Sequence, residues 1–106
     1  MPKYLVAGTY LGEGVKGLLK EGGTSRRAAV EQLTKSLGGS LEAAYYAFGE
    51  VDIYLIVDMP DQASMASLAL TAAASGMVTT KTTVLIPVEE VDKAAKLSPV
   101  YRPPGK

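Results

Sequence analysis

Residues 43–57 constrain the fold more than any other stretch. They read Ala-Ala-Tyr-Tyr-Ala-Phe, then Gly49-Glu50, then Val-Asp-Ile-Tyr-Leu-Ile-Val. Two runs rich in aromatic and β-branched residues flank a glycine, which reaches the positive φ of a tight hairpin turn without steric cost. With Gly49-Glu50 as a two-residue turn, Phe48 lies opposite Val51, Tyr46 opposite Ile53 and Ala44 opposite Leu55. That face is almost wholly apolar. Strand side chains alternate, so Ala47 with Asp52 and Tyr45 with Tyr54 make a second face of mixed character.

The rest of the chain arranges itself around this hairpin. Lys3 to Tyr10 alternates as a first strand. Glu13 to Lys20 predicts a short helix with Val15, Leu18 and Leu19 turned inward, broken by Gly22-Gly23. Thr24 or Ser25 then caps a longer helix to about Leu37, with Ala29, Val30, Leu33 and Leu37 at helical spacing and Gly38-Gly39 beyond its end. Strands over 40–48 and 51–59 follow. Asp61 caps an alanine-rich helix closed by Gly76, and Met77 to Ile86 forms the last strand. Val88 to Leu97 predicts a terminal helix. Ser98 to Lys106, with three prolines, predicts an extended arm.

The order is β-α-β-β-α-β plus a helix and an arm. It predicts a ferredoxin-like α+β domain over residues 1–97 and an arm over 98–106. Four antiparallel strands form the sheet, with the first and third central and the helices on one face. The opposite face carries Tyr45, Tyr54, Ile56 and Leu41, too apolar a set to leave in water. A second copy is the expected cover, in a dimeric α/β-barrel type of assembly, with Tyr101 and Arg102 of the arm reaching across as a clasp.

Composition narrows the chemistry. The chain has no cysteine and no histidine, which removes disulfides, thiolate nucleophiles and the side chain most used for proton transfer near neutral pH. No metal cluster and no cofactor motif stands out. Eleven basic and 11 acidic residues cancel. A nucleic-acid binder or an anionic-membrane binder needs a basic excess, so neither partner is expected. The N-terminus enters a strand pattern directly, and a cytoplasmic location is expected.

The stretch Phe48-Gly49-Glu50-Val51-Asp52-Ile53-Tyr54 resembles the hairpin signature of the small GYD domain proteins. So do Pro2 to Val6, Glu13 to Gly23, the Arg26-Arg27-Ala28-Ala29-Val30-Glu31 helix start, Thr80 to Leu85, and Tyr101 to Gly105. The resemblance covers nearly the whole chain. It implies a ferredoxin-like fold with dimeric α/β-barrel relatives, and it implies no defined activity. The family's name denotes Gly-Tyr-Asp, and here Val51 stands where the tyrosine is expected.

Six residues are candidates for a ligand site: Tyr10, Arg26, Arg27, Tyr46, Asp52 and Lys81. The two arginines at a helix start suit an anion, or else pair with Glu31 and other carboxylates. Lys81 among threonines is a base, or a charge that protects an edge strand. Asp52 is a ligand, or orders the turn. Tyr10, Tyr45, Tyr46 and Tyr54 line a pocket, or pack at an interface. No catalytic residue is assigned. The favoured reading is a homo-oligomeric module that binds a small molecule or assembles with itself. The alternative is a cofactor-independent oxygenase or isomerase, signalled by a closed pocket of about 300 Å³ or more with converging polar groups.

Overall fold

The computed structural model describes all 106 residues. The elements run β1 (Lys3–Tyr10), α1 (Gly12–Glu21), α2 (Gly23–Ser36), β2 (Ser40–Tyr46), β3 (Ile53–Asp58), α3 (Gln62–Ala74), β4 (Val78–Leu85) and α4 (Val88–Ala95). The strands form one antiparallel sheet in the order β2-β3-β1-β4. The first and third strands are central, as the sequence predicts, and the topology is ferredoxin-like with the first crossover split into two helices.

The hairpin register matches expectation: Ala44 pairs with Leu55, Tyr45 with Tyr54 and Tyr46 with Ile53. The turn does not. β2 ends at Tyr46 and β3 begins at Ile53, so the connection is a loop, closed by Ala47 N–H donating to Asp52 O at 2.8 Å. The positive φ falls on Phe48, at 58°, and not on Gly49. A bulky residue seldom occupies that region. Phe48 is also exposed rather than inward, and its ring stacks on Tyr46 with centroids 5.7 Å apart.

The core lies between the helices and one face of the sheet. Tyr4 and Val6 of β1, Ile53, Leu55 and Val57 of β3, and Met59 just beyond it meet Met65 and Leu68 of α3. Val30, Leu33 and Leu37 from α2 and its end pack against them. Asp61 caps α3 as predicted, its carboxylate accepting from Ser64 N–H at 2.8 Å. Gly38 ends the α2 segment with φ +83°, the left-handed conformation that glycine adopts cheaply.

Three expectations are corrected. α2 starts at Gly23 behind Gly22, so neither Thr24 nor Ser25 is its cap. Leu41 lies against the core and not on the open face, because a bulge between Leu41 and Ala43 inserts an extra residue and reverses which side Leu41 points to. Val15 and Leu19 of α1 are exposed, and the buried residue of that helix is Gly14. α1 lies so close to the residue just before β4 that a Cβ on Gly14 would overlap the Met77 carbonyl oxygen, and Leu11 N–H donates to that same oxygen at 2.9 Å.

The C-terminal region stands apart. Every residue of α4 is exposed, as are Ile86, Leu97, Val100 and Tyr101. The molecule measures 57 × 32 × 22 Å. Its radius of gyration is 17.0 Å, where about 13 Å is usual for a domain of this length. No helix is long and apolar enough to cross a membrane.

Candidate functional site: a cleft between helices and sheet

The covered face of the sheet is incompletely filled. A cavity of about 470 Å³ opens between α1, α2, α3 and the strands. Val6 and Leu55 form its floor, Val30 and Leu33 one wall, and Leu68 and Ala72 another. Gly14 and Gly17 of α1 also border it. Gly14 is explained by its close approach to Met77. Gly17 is not, since a Cβ there would meet nothing within 4 Å.

Tyr10 and Arg26 bring polarity to the lining. Tyr10 is held at the end of β1 by Asp52, whose carboxylate accepts from Tyr10 N–H at 2.8 Å. Burial pushes the Tyr10 phenol above its ordinary pKa. The neighbouring Tyr46 adds to that shift, and the Arg26 guanidinium opposes it. Tyr10 is therefore a neutral hydrogen-bond donor at pH 7. Tyr46 donates its own hydroxyl proton to Gly23 O at 3.3 Å, which ties β2 to the start of α2. Glu13 and Glu21 stand beside Arg26 in the lining. Arg26 Nη1 lies 3.5 Å from Glu21 Oε2, and Lys16 Nζ 3.3 Å from Glu13 Oε1.

The six candidate residues therefore divide. Tyr10 and Arg26 line the cleft and Tyr46 stands beside them. Asp52 orders the turn through its bond to Tyr10 N–H. Arg27 turns outward to Glu31, with Nε 3.1 Å from Oε1, so the arginine pair makes no joint anion site. Lys81 is exposed on β4 and borders a smaller hollow of about 200 Å³ with Ala7, Thr9, Glu50 and Thr79 on the other side of the sheet. It is an edge-strand charge, not a buried amine. No three acidic side chains come together as a metal cluster.

That other side carries the expected interface residues. Tyr45 and Tyr54 sit opposite each other and are 71% and 39% exposed. Ile56 pairs across to Ala43 on one side and Leu5 on the other. Lys3 Nζ closes one end, 2.8 Å from Glu42 Oε1 and 2.9 Å from Asp58 Oδ1. Those two hydrogen bonds, the one to Glu42 first, raise the Lys3 pKa. Tyr101 and Arg102 are exposed in the segment after α4 and line neither hollow.

Sequence reasoning missed most of the cleft wall. The one available signal was Gly14 and Gly17, three residues apart inside a helix, where glycine is unfavourable unless its missing side chain matters.

No curated protein and no solved structure matches the chain. The family model for the GYD domain matches residues 4–95, from the first strand to the end of α4, and so the chain belongs to the GYD domain family.

Proposed function

We propose that this chain is a self-pairing module that binds a small molecule. Two copies meet through their open sheet faces and C-terminal segments, and each keeps its cleft on the far side. The observation that carries the pairing is surface area. A folded monomer of 11.1 kDa exposes about 5,700 Å², whereas this chain exposes 7390 Å², about 1,700 Å² more. Burial is correspondingly sparse, with 11 of 106 residues inside, too few to make the lone chain a well-filled domain. An excess of this size suits the large apolar interfaces of permanent dimers, which remove about 2,000 Å² or more in total. Of the residues expected at a partner, Tyr45, Tyr54 and Tyr101 are exposed and Ile56 is half-buried, and the tail adds Val88, Val91 and Leu97, which the sequence reading did not single out.

The cleft supports the binding half of the proposal. It has the size of a small-molecule pocket and a mainly apolar lining with a few polar groups. The same cavity is the one observation favouring the second reading, a cofactor-independent oxygenase or isomerase. Its volume meets that reading's requirement, but Asp52 and Lys81 lie elsewhere, and Tyr10 is protonated at neutral pH. A binding role needs no base and fits better.

The test replaces Tyr54 by glutamate, which sets carboxylates against the partner without touching the core. Light scattering gives twice the chain mass for the wild type and one chain mass for Tyr54→Glu. Equal masses for the two proteins contradict pairing through the open sheet face, and one chain mass for the wild type contradicts pairing altogether.

A further inference from the structure

The cleft's own chemistry indicates what it takes. We propose that its ligand is an uncharged, largely apolar small molecule bearing a carbonyl or hydroxyl oxygen, with that oxygen at the Tyr10 end and the apolar body alongside Gly17. This rests on the binding-module reading and narrows it.

Three observations carry the assignment. First, the charges at the lining are already matched: Arg26 has Glu21 as its partner and Glu13 has Lys16. An anionic ligand would compete with those carboxylates for the cations, so its charge would gain little. Second, Tyr10 offers a neutral donor in a part-buried setting, which suits a carbonyl or hydroxyl acceptor. Tyr46 is engaged with Gly23 O.

Third, Gly17 costs the helix about 1 kcal/mol relative to alanine, and no close neighbour demands it. Gly14, one turn earlier, shows what a packing glycine looks like: an added Cβ there would overlap Met77. The space at Gly17 belongs to the cleft. An alanine or leucine there would enter open volume, so the substitution fills the cavity without forcing the helix off the sheet.

The experiment uses the full chain and Nile red, an uncharged dye with a carbonyl, followed by fluorescence. Competition with 1-decanol and decanoate, matched in length and different in charge, reads the ligand class. The wild type binds the dye saturably, and decanol displaces it at about tenfold lower concentration than decanoate. Gly17→Ala weakens the dye and Gly17→Leu abolishes its binding, with thermal midpoints no lower than wild type. Tyr10→Phe weakens the dye about fivefold, the worth of one neutral hydrogen bond.

Decanoate displacing as well as decanol overturns the uncharged class and leaves the binding module standing. Undiminished dye binding by both folded Gly17 variants overturns the cleft as the site. Absence of saturable binding of any of the three probes to the wild type overturns the binding module itself. Gly17→Ala, which adds one methyl group to open space, keeps the test decisive if Gly17→Leu does not fold.

Discussion

The two faces of the single sheet are built from alternate residues of the same strands, yet they behave as different surfaces. On β3, Ile53, Leu55 and Val57 are buried under helices, whereas Tyr54, between the first two, is 39% exposed. The covered face holds its residues by packing within one chain. The open face presents Tyr45 and Tyr54 as exposed rings, with Ile56 half-buried beside them. Alternation alone makes this division, since neighbouring strand residues point to opposite sides. The amount of apolar surface left over is a property of the molecule, and under the proposed pairing it makes stability on one face intramolecular and on the other dependent on concentration.

Substitutions on β3 sharpen that contrast. Leu55→Ala removes a core side chain and is expected to cost about 3 kcal/mol in urea unfolding, independent of protein concentration. Ile56→Ala, the adjacent position on the other face, is expected to shift the midpoint mainly by weakening association, so its effect grows as the protein is diluted. Equal, concentration-independent losses at both positions would erase the distinction between the faces.

The helix-covered face has its own internal contrast. Gly14→Ala forces α1 away from Met77 and is expected to lower stability by about 1–3 kcal/mol. Gly17→Ala, in the same helix, is expected to raise it by up to about 1 kcal/mol. Thermal melts of the two variants in opposite directions would show that the cleft is open by composition and not by poor packing.

The hairpin register was legible in residues 43–57 because aromatic and β-branched side chains alternate there without interruption. The turn was not. Phe48 takes the left-handed conformation that Gly49 was expected to take, and stacking on Tyr46 accompanies it. The bulge after Leu41 was invisible for a similar reason: one inserted residue reverses a face without changing the hydrophobic pattern. In α1 the pattern was right only in part. Hydrophobic spacing turns Val15, Leu18 and Leu19 inward, and Leu18 lines the cleft, but the helix sits against Met77 through a residue with no side chain, and Val15 and Leu19 are exposed. Of the cleft's polar residues Tyr10 and Arg26 could be named from sequence.

The smallest expected effects separate the two faces by pH. Asp61, on the covered side, has its pKa lowered by the hydrogen bonds from Ser64, the backbone one first. Its contribution is present above the unfolded carboxylate value of 3.8 and is lost as pH falls through the lower folded value. Lys3, at the end of the open face, has its pKa raised by Glu42 and Asp58. Its contribution is complete below the unfolded value of 10.5 and is lost as pH rises through the higher folded value. Asp61→Asn is therefore expected to flatten the acid limb of a stability–pH curve and Lys3→Met the alkaline limb. Both limbs unchanged would mean that neither contact matters to the fold.

The proposed pairing makes the surplus surface an interface between copies of this chain. Sedimentation equilibrium of the wild-type protein across the micromolar range tests it without any substitution. The expected result is a mass of twice 11.1 kDa across that range. A mass of 11.1 kDa at every concentration would contradict it.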